Sequence, residues 1–213
     1  MKKIMFNDRF GLTQAVLDGR KTQTRRFGKF VTSSRCFDDV VNIEGGFDDR
    51  GRWMFTFFNI HGDIIGDVIP NYDIGELVAI AQPYSELDID EAVGVEDFGQ
   101  NMYAPIYVES AGWNNKMFVK ADLMKHHIKI TNVRIEELQD ITDEDCLAEG
   151  IEKWYYGAKA TYYYHLPNQD HLEVEDLHLT PQDAYAALID KISGKGTWER
   201  NPLVWVYEFE LID

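Results

Sequence analysis

Residues 128–150, IKITNVRIEELQDITDEDCLAEG, join the clearest strand pattern of the chain to its clearest helix pattern. Apolar and polar side chains alternate through the first half, which is typical of a strand with one face in the core. Thr142 then offers an N-cap, three carboxylates follow in the first helical turn, and Gly150 ends the helix. Glu149 therefore lies at the helix C-terminus, where the helix dipole disfavours a carboxylate. That position suggests a functional role, and the alternative is an exposed glutamate that the fold tolerates.

Short strands and short helices are predicted on both sides of this segment. Strand patterns occupy residues 3–6, a meander over 27–69 with turns at EGG, DDRG and HGD, and the stretches ELVAIAQ, MYAPIYVES, KMFVKADL and LVWVYEFELI. Helical spacing covers residues 7–18 before Gly19, and Thr180 with Pro181 opens a C-terminal helix. Because no regular βαβ alternation appears, the chain is predicted to be α+β, with a mixed, mainly antiparallel sheet or barrel.

The composition is that of an ordinary globular protein. The chain has 213 residues, of which 45% are hydrophobic and 27% charged, and this composition excludes disorder as its main state. Its net charge is −16. No apolar run approaches the roughly 18 residues that cross a bilayer, and the N-terminus lacks the apolar core of a signal peptide. We therefore expect a cytoplasmic protein without a membrane partner. Cys36 and Cys146 lie far apart in the sequence, so neither a disulfide framework nor a zinc site is expected.

Positive charge is concentrated at the N-terminus of this acidic chain. Residues 1–35 contain nine Lys and Arg residues but only two Asp, whereas the remainder is strongly acidic. Non-specific binding to nucleic acid depends on neutralising many phosphates, so we do not expect binding to extended duplex DNA. A compact basic segment favours a pocket for a small anionic or polar ligand. The alternative is a solvated basic face.

The basic segment contains the best candidate for chemistry, the run GRKTQTRR at residues 19–26. A threonine hydroxyl is a nucleophile when a base accepts its proton, and a lysine is such a base when burial or neighbouring cations lower its pKa. Arg20, Arg25 and Arg26 are candidates for that effect on Lys21. The alternative is a basic turn that binds phosphate. The motifs GxSxG, GxxxxGK[ST], GxGxxG and HExxH are absent and the six histidines lack ligand spacing, so no metal or cofactor is expected.

The spacing of this run resembles the G-x-K-x-x-T-x-R signature of the ASCH domain, a relative of the PUA fold. The signature residues are Gly19, Lys21, Thr24 and Arg26. Three long stretches also resemble ASCH proteins of phages and prophages: KIMFNDRFGLTQAVLDGRKTQTRR, ITNVRIEELQDITDEDCLAEGI and AYAALIDKISGKGTWERNPLVWVYEFELI. The resemblance implies a single domain over residues 1–213, a PUA-like, mainly antiparallel β-barrel with a few flanking short helices. Residues 27–75 and 152–178 match poorly and are interpreted as insertions.

The resemblance also implies a function. ASCH domains are proposed to bind RNA or nucleotides, and one bacterial branch hydrolyses the amide of N4-acetylcytidine. By similarity to that branch, Lys21 is the expected proton acceptor, Thr24 the nucleophile and Glu149 the proton donor. Arg26 would hold an oxyanion or a phosphate, and the other expected ligand-binding residues are Gly19, Arg20 and Arg25. The expected partner is a nucleoside, a nucleotide or single-stranded RNA.

Two other functions remain open at this stage. An RNA-binding module or ribonuclease needs an extended basic path, for which the candidates are Lys116, Lys120, Lys125, Lys129 and Arg134. The aromatic residues of the segment 152–164 could stack on its bases, although core or flap packing is the commoner role for such residues. A non-enzymatic phage accessory protein that acts through protein contacts would instead expose an apolar patch. The catalytic hypothesis predicts that Lys21→Ala and Thr24→Ala abolish activity without lowering thermal stability.

Overall fold

The computed structural model describes residues 1–30, 40–87, 110–158, 161–168 and 174–212. Its strands are β1 (Lys2–Ile4), β2 (Gln23–Phe27), β3 (Asn42–Phe47), β4 (Trp53–Phe58), β5 (Ile64–Val68), β6 (Leu77–Ile80), β7 (His127–Glu137), β8 (Glu152–Tyr156), β9 (Thr161–His165) and β10 (Leu203–Ile212). Its α-helices are α1 (Leu12–Leu17), α2 (Asp143–Ala148), α3 (Pro181–Ser193) and α4 (Thr197–Arg200). The fold is therefore α+β, as predicted, and most of its strand pairs are antiparallel.

The main sheet has five strands in the order β1-β6-β7-β10-β2. Only β1 and β6 pair in parallel within it. The long strands β7 and β10 lie in its centre. Ile128 and Ile130 of β7 are buried on one face, whereas residues 204–207 of β10 are all buried, so both faces of the sheet are covered there. β1 and β2 form the two edges, and within the described ranges no strand joins these edges into a closed barrel.

Two smaller β units lie within residues 27–75 and 152–178. β3, β4 and β5 form a three-stranded antiparallel sheet, and its Phe55 ring lies 5.5 Å from the Trp205 ring of β10. The predicted turn at EGG is wrong, because Gly45 and Gly46 lie inside β3. A Cβ atom at Gly45 would come within 2.7 Å of the Trp53 ring, so this glycine makes room for an aromatic side chain on the neighbouring strand. β8 and β9 form a separate hairpin.

Three other local predictions change in the structure. The N-terminal helix is split at Gly11, which has φ of +60° and separates the 3₁₀ turn Asp8–Phe10 from α1. The strand predicted for KMFVKADL is wrong, because this stretch forms the 3₁₀ turns Lys116–Phe118 and Ala121–Leu123. The run 19–26 is not a turn throughout, since β2 begins at Gln23. The strand predicted for MYAPIYVES lies almost entirely outside the described residues.

The two helix starts read from the sequence are confirmed. The Thr142 hydroxyl accepts a hydrogen bond from the Asp145 amide at the start of α2, and the Thr180 hydroxyl accepts one from the Asp183 amide at the start of α3. Both helices pack against the main sheet, where Trp205 and Tyr207 are buried. No helix in the described part of the chain has the length and apolar character needed to cross a membrane.

Candidate functional site

A small cleft lies between β2, the C-terminal end of α2 and one face of α3. Its volume is about 130 Å³, and it is partly open to solvent. Its apolar walls include Phe6, Leu12, Leu188 and Ile189. A cavity of about 150 Å³ holds a benzene molecule, so this cleft has room for one planar ring but not for a whole nucleoside.

Lys21 is buried at the cleft, with only 1% of its side chain exposed. Its ammonium donates hydrogen bonds to the Gln23 carbonyl at 2.7 Å, the Glu149 carbonyl at 2.8 Å and the Glu149 carboxylate at 2.6 Å. Burial lowers the pKa of Lys21, Glu149 opposes this shift, and the positive charges of Arg26 and Arg25 reinforce it. The pKa of Lys21 is therefore lowered, as a lysine that acts as a base requires. The largest cause is burial rather than the neighbouring arginines.

Glu149 is the C-cap residue of α2, and it is buried. Gly150 follows it with φ of +104°, a conformation that favours glycine just after a helix end. One carboxylate oxygen, Oε2, contacts Lys21, and the other, Oε1, accepts a hydrogen bond from Arg25 at 3.3 Å. The structure thus excludes the exposed, tolerated glutamate considered from the sequence.

Thr24 lines the same cleft from β2, opposite Tyr207 of β10. It is buried, yet its hydroxyl makes no hydrogen bond to any residue in the described ranges. The Tyr185 hydroxyl on α3 likewise makes none there, and burial raises the pKa of Tyr185 well above its usual value. These two hydroxyls therefore remain available to a ligand.

The four expected ligand-binding residues occupy different positions. Gly19 and Arg20 are exposed and lie outside the cleft, and Arg20 forms ion pairs with Asp18 and Glu152. Arg25 has a fully buried side chain that contacts three carboxylates. Only Arg26 is half-buried at the cleft with donors to spare.

Arg26 has the features of an anion-binding side chain. One terminal nitrogen donates to the Met5 carbonyl at 2.6 Å, and the guanidinium lies 5.5 Å from the Phe6 ring centroid. Its Nε is buried and has no hydrogen-bond partner among the described residues. Burial lowers the pKa of Arg26, but an arginine remains charged in proteins. The structure therefore leaves a positive charge with unused donors beside Thr24.

Buried Lys21, Thr24 and Arg25 do not fit the alternative of a solvated basic face. The sequence reasoning missed other parts of the site, namely Phe6 and Tyr185 in the walls and the carboxylates Glu136 and Asp145 behind Arg25. Each follows an ordinary strand or helix pattern, so the sequence carried no local signal for them. No group of three or more His, Cys, Asp or Glu side chains within the described ranges is arranged to hold a metal ion.

Three of the five residues considered for an extended basic path form ion pairs with carboxylates. Lys116 pairs with Asp8, Lys129 with Glu210, and Arg134 with several carboxylates. The aromatic residues of β8 and β9 differ in burial: Tyr164 packs against the core, whereas four others do not. Trp154, Tyr155, Tyr156 and Tyr162 are exposed on the hairpin. Exposed apolar side chains on or beside the three-stranded sheet include Phe47, Ile60 and Ile64.

The comparisons with known proteins give no relative. No family model, no curated protein and no solved structure matches this chain.

Proposed function

We propose that the cleft binds the base of a nucleoside or nucleotide and hydrolyses an acyl amide on it, with N4-acetylcytidine as the model substrate. The observation that carries this proposal is the buried pair of Lys21 and Glu149 in a cleft that Thr24 also lines. These are the three side chains to which the ASCH resemblance assigns the reaction. We also propose that the chain belongs to the ASCH family and that its main sheet is related to the PUA fold.

The reactive state has the single proton of the ion pair on Glu149 rather than on Lys21. The 2.6 Å hydrogen bond between them allows this transfer, and burial favours the neutral form of Lys21. Thr24 Oγ bonds to the acyl carbon while its proton passes to Lys21. The bond from that carbon to the base nitrogen breaks, and the nitrogen takes the proton of Glu149. The products are the free base and an acyl ester of Thr24.

Water then completes the cycle. Its oxygen bonds to the acyl carbon, one of its protons returns to Glu149, and the Lys21 proton returns to Thr24 as the ester bond breaks. The released acid carries away the acyl group, and all three side chains regain their starting forms. Arg26, with unused donors at the same cleft, would stabilise the oxyanion in both steps.

The test is chromatographic detection of cytidine released from N4-acetylcytidine. Wild type should release cytidine, whereas Lys21→Ala and Thr24→Val should lose at least about a thousandfold in rate, as removal of a nucleophile or its base does. Thr22→Val is the matched control, because Thr22 is exposed and lies outside the cleft. Release by Thr24→Val at the wild-type rate would refute the role of Thr24 as nucleophile, and no release by wild type would refute hydrolysis.

A second candidate function is binding of unpaired RNA bases, and the exposed hairpin favours it. Tyr155 and Tyr162 pair across β8 and β9 with ring centroids 5.0 Å apart, and both are about half exposed. The Lys153 ammonium lies 4.0 Å from the Tyr162 centroid. Exposed aromatic rings beside a cation are suited to stacking with bases. Fluorescence anisotropy with a short labelled RNA should show binding that Tyr155→Ala weakens and Tyr156→Ala, on the opposite face of β8, does not.

A further inference from the structure

Arg25 uses every donor it has on protein acceptors. Its Nε donates to Glu136 Oε1 at 2.9 Å, and one terminal nitrogen donates to Gln23 at 2.5 Å and to Glu149 Oε1 at 3.3 Å. The other terminal nitrogen donates to Glu136 at 2.5 Å and to Asp145 Oδ2 at 2.9 Å. A guanidinium has five N–H groups, and these contacts account for all five. Arg25 is therefore poorly suited to the ligand-binding role expected from the sequence.

The contacts of Arg25 instead link β2 to both ends of α2. Asp145 lies in the first turn of this helix and Glu149 is its C-cap residue. Residues four apart share one face of a helix, so both carboxylates face the guanidinium. Asp145 also accepts hydrogen bonds from Gln23 and Arg134, which anchor it to β2 and β7. Arg25 thus determines how α2 sits on the sheet and where its last carboxylate lies.

We propose that Arg25 is a positioning residue for the Lys21–Glu149 pair. It holds Glu149 through Oε1 and so presents Oε2 to Lys21. This inference rests on the proposed function for its effect on rate, but the effect on the pair itself does not require any substrate.

The effect of Arg25 on the pair can be measured through the pKa of Lys21. The groups around Lys21 come from three elements: Glu149 from α2, Arg25 and Arg26 from β2, and Tyr185 from α3. The positive charge of Arg25 lowers the pKa of Lys21, although burial is the largest cause of the shift. Removing that charge should therefore raise the pKa of Lys21. This titration detects the charge of Arg25 beside Lys21, and the Arg25→Lys variant described below, which keeps the charge, tests the positioning of Glu149 separately.

Arg134 provides a matched control. It contacts two of the carboxylates that Arg25 contacts, Glu136 and Asp145, but it does not contact Glu149 or Lys21. Arg134→Gln thus removes the same type of ion pair from the same cluster while leaving the catalytic pair in place.

The experiment is a pH titration of lysine side chains by NMR with ¹³Cε-labelled protein, in which the Lys21 signal is identified by its loss in Lys21→Met. In Arg25→Gln, Lys21 should titrate at higher pH than in wild type, whereas in Arg134→Gln it should titrate as in wild type. An unchanged Lys21 titration in Arg25→Gln, or an equal shift in both variants, would overturn the positioning role. A protein without hydrolytic activity would still give this result, so the two proposals fail separately.

Arg25→Lys tests the same role in a variant that keeps the charge, in case Arg25→Gln does not fold. Lysine lacks the planar fork of arginine, so kcat on N4-acetylcytidine should fall about tenfold or more while KM and the titration of Lys21 change little. Arg134→Lys should retain kcat within about twofold. Wild-type kcat in Arg25→Lys would overturn the proposal.

Discussion

Lys21 Nζ lies 2.6 Å from Glu149 Oε2, although the two residues are 128 positions apart in the sequence. Both side chains are almost fully buried, at 1% and 6% exposure. A buried charge that loses its partner is costly, because desolvation is no longer compensated. The pair is therefore a structural element of the fold as well as the proposed proton relay.

We predict strong energetic coupling within this pair. Lys21→Met and Glu149→Gln should each lower the free energy of unfolding by about 3 kcal/mol, and the double variant should lose about 1–3 kcal/mol less than the sum of the two. Urea unfolding of the four proteins measures this. The structure thus changes the expectation from the sequence that Lys21→Ala would leave thermal stability unaffected.

The exposed pair of Arg20 and Glu152 is the control for that cycle. Its nitrogen and oxygen lie 2.9 Å apart, but the two side chains are 44% and 33% exposed. Surface ion pairs contribute little, because water screens them. The same double-mutant cycle should give a coupling below about 0.5 kcal/mol there. Equal coupling for both pairs would mean that the Lys21–Glu149 pair is hydrated in solution.

Thr24→Val should separate chemistry from folding. Thr24 is buried in β2, but its hydroxyl has no hydrogen-bond partner within the described ranges, so replacing it with a methyl group leaves no buried acceptor unsatisfied. Unfolding free energy should change by less than about 1 kcal/mol. A loss above about 2 kcal/mol in urea unfolding would show that the hydroxyl has a structural partner and is not free to attack a substrate.

The sequence was informative where the determinants are local. The Thr142 cap, the end of α2 at Glu149 and the strands β7 and β10 all depend on neighbouring residues, and the structure confirms them. The sequence also identified the Lys21 run as unusual, because it combines hydroxyls with cations. Local rules were sufficient for these features.

Long-range compensation could not be read from the sequence. Gln23–Phe27 has the composition of a polar turn, yet it forms an edge strand whose Arg25 side chain is buried. This is possible because carboxylates from distant segments, at Glu136, Asp145 and Glu149, neutralise Arg25. The turn predicted at Gly45 is wrong for a similar reason. A glycine is needed there because a Cβ atom would collide with the Trp53 ring on the neighbouring strand. The carboxylates around Arg25 and the Trp53 ring beside Gly45 cannot be identified from the composition of the neighbouring sequence.

Asp145 should contribute to stability in a pH-dependent way. Burial raises its pKa, but hydrogen bonds from Arg25 and Gln23 outweigh burial, so its pKa lies below 3.8. The unfolded chain therefore binds the proton first as the pH falls. The contribution of ionised Asp145 to the free energy of unfolding is complete above pH 3.8. It is lost as the pH falls through the lowered pKa of Asp145 in the folded protein. In Asp145→Asn, unfolding free energy should be lower at pH 7 and should fall less steeply below about pH 4.

Asp143→Asn is the control for Asp145→Asn. Both residues lie in the first turn of α2, near the positive end of the helix dipole, but Asp143 is exposed and has no arginine contact in the described structure. Urea unfolding at several pH values should show a much smaller change for Asp143→Asn. Equal pH dependence in the two variants would attribute the effect to the dipole alone.

Cys146 should report whether α2 is seated as the structure describes. It lies on α2 between Asp145 and Glu149 and is fully buried, and this burial raises the pKa of its thiol to about 12. Since the thiolate is the reactive form, a Cys36→Ser protein should react with an aromatic disulfide at pH 8 at least about a thousand times more slowly than free cysteine. Full reaction should follow in denaturant. Rapid labelling of the native protein would mean that α2 opens readily. Glu149 would then not be held against Lys21, and both the proposed reaction and the positioning role of Arg25 would lose their structural basis.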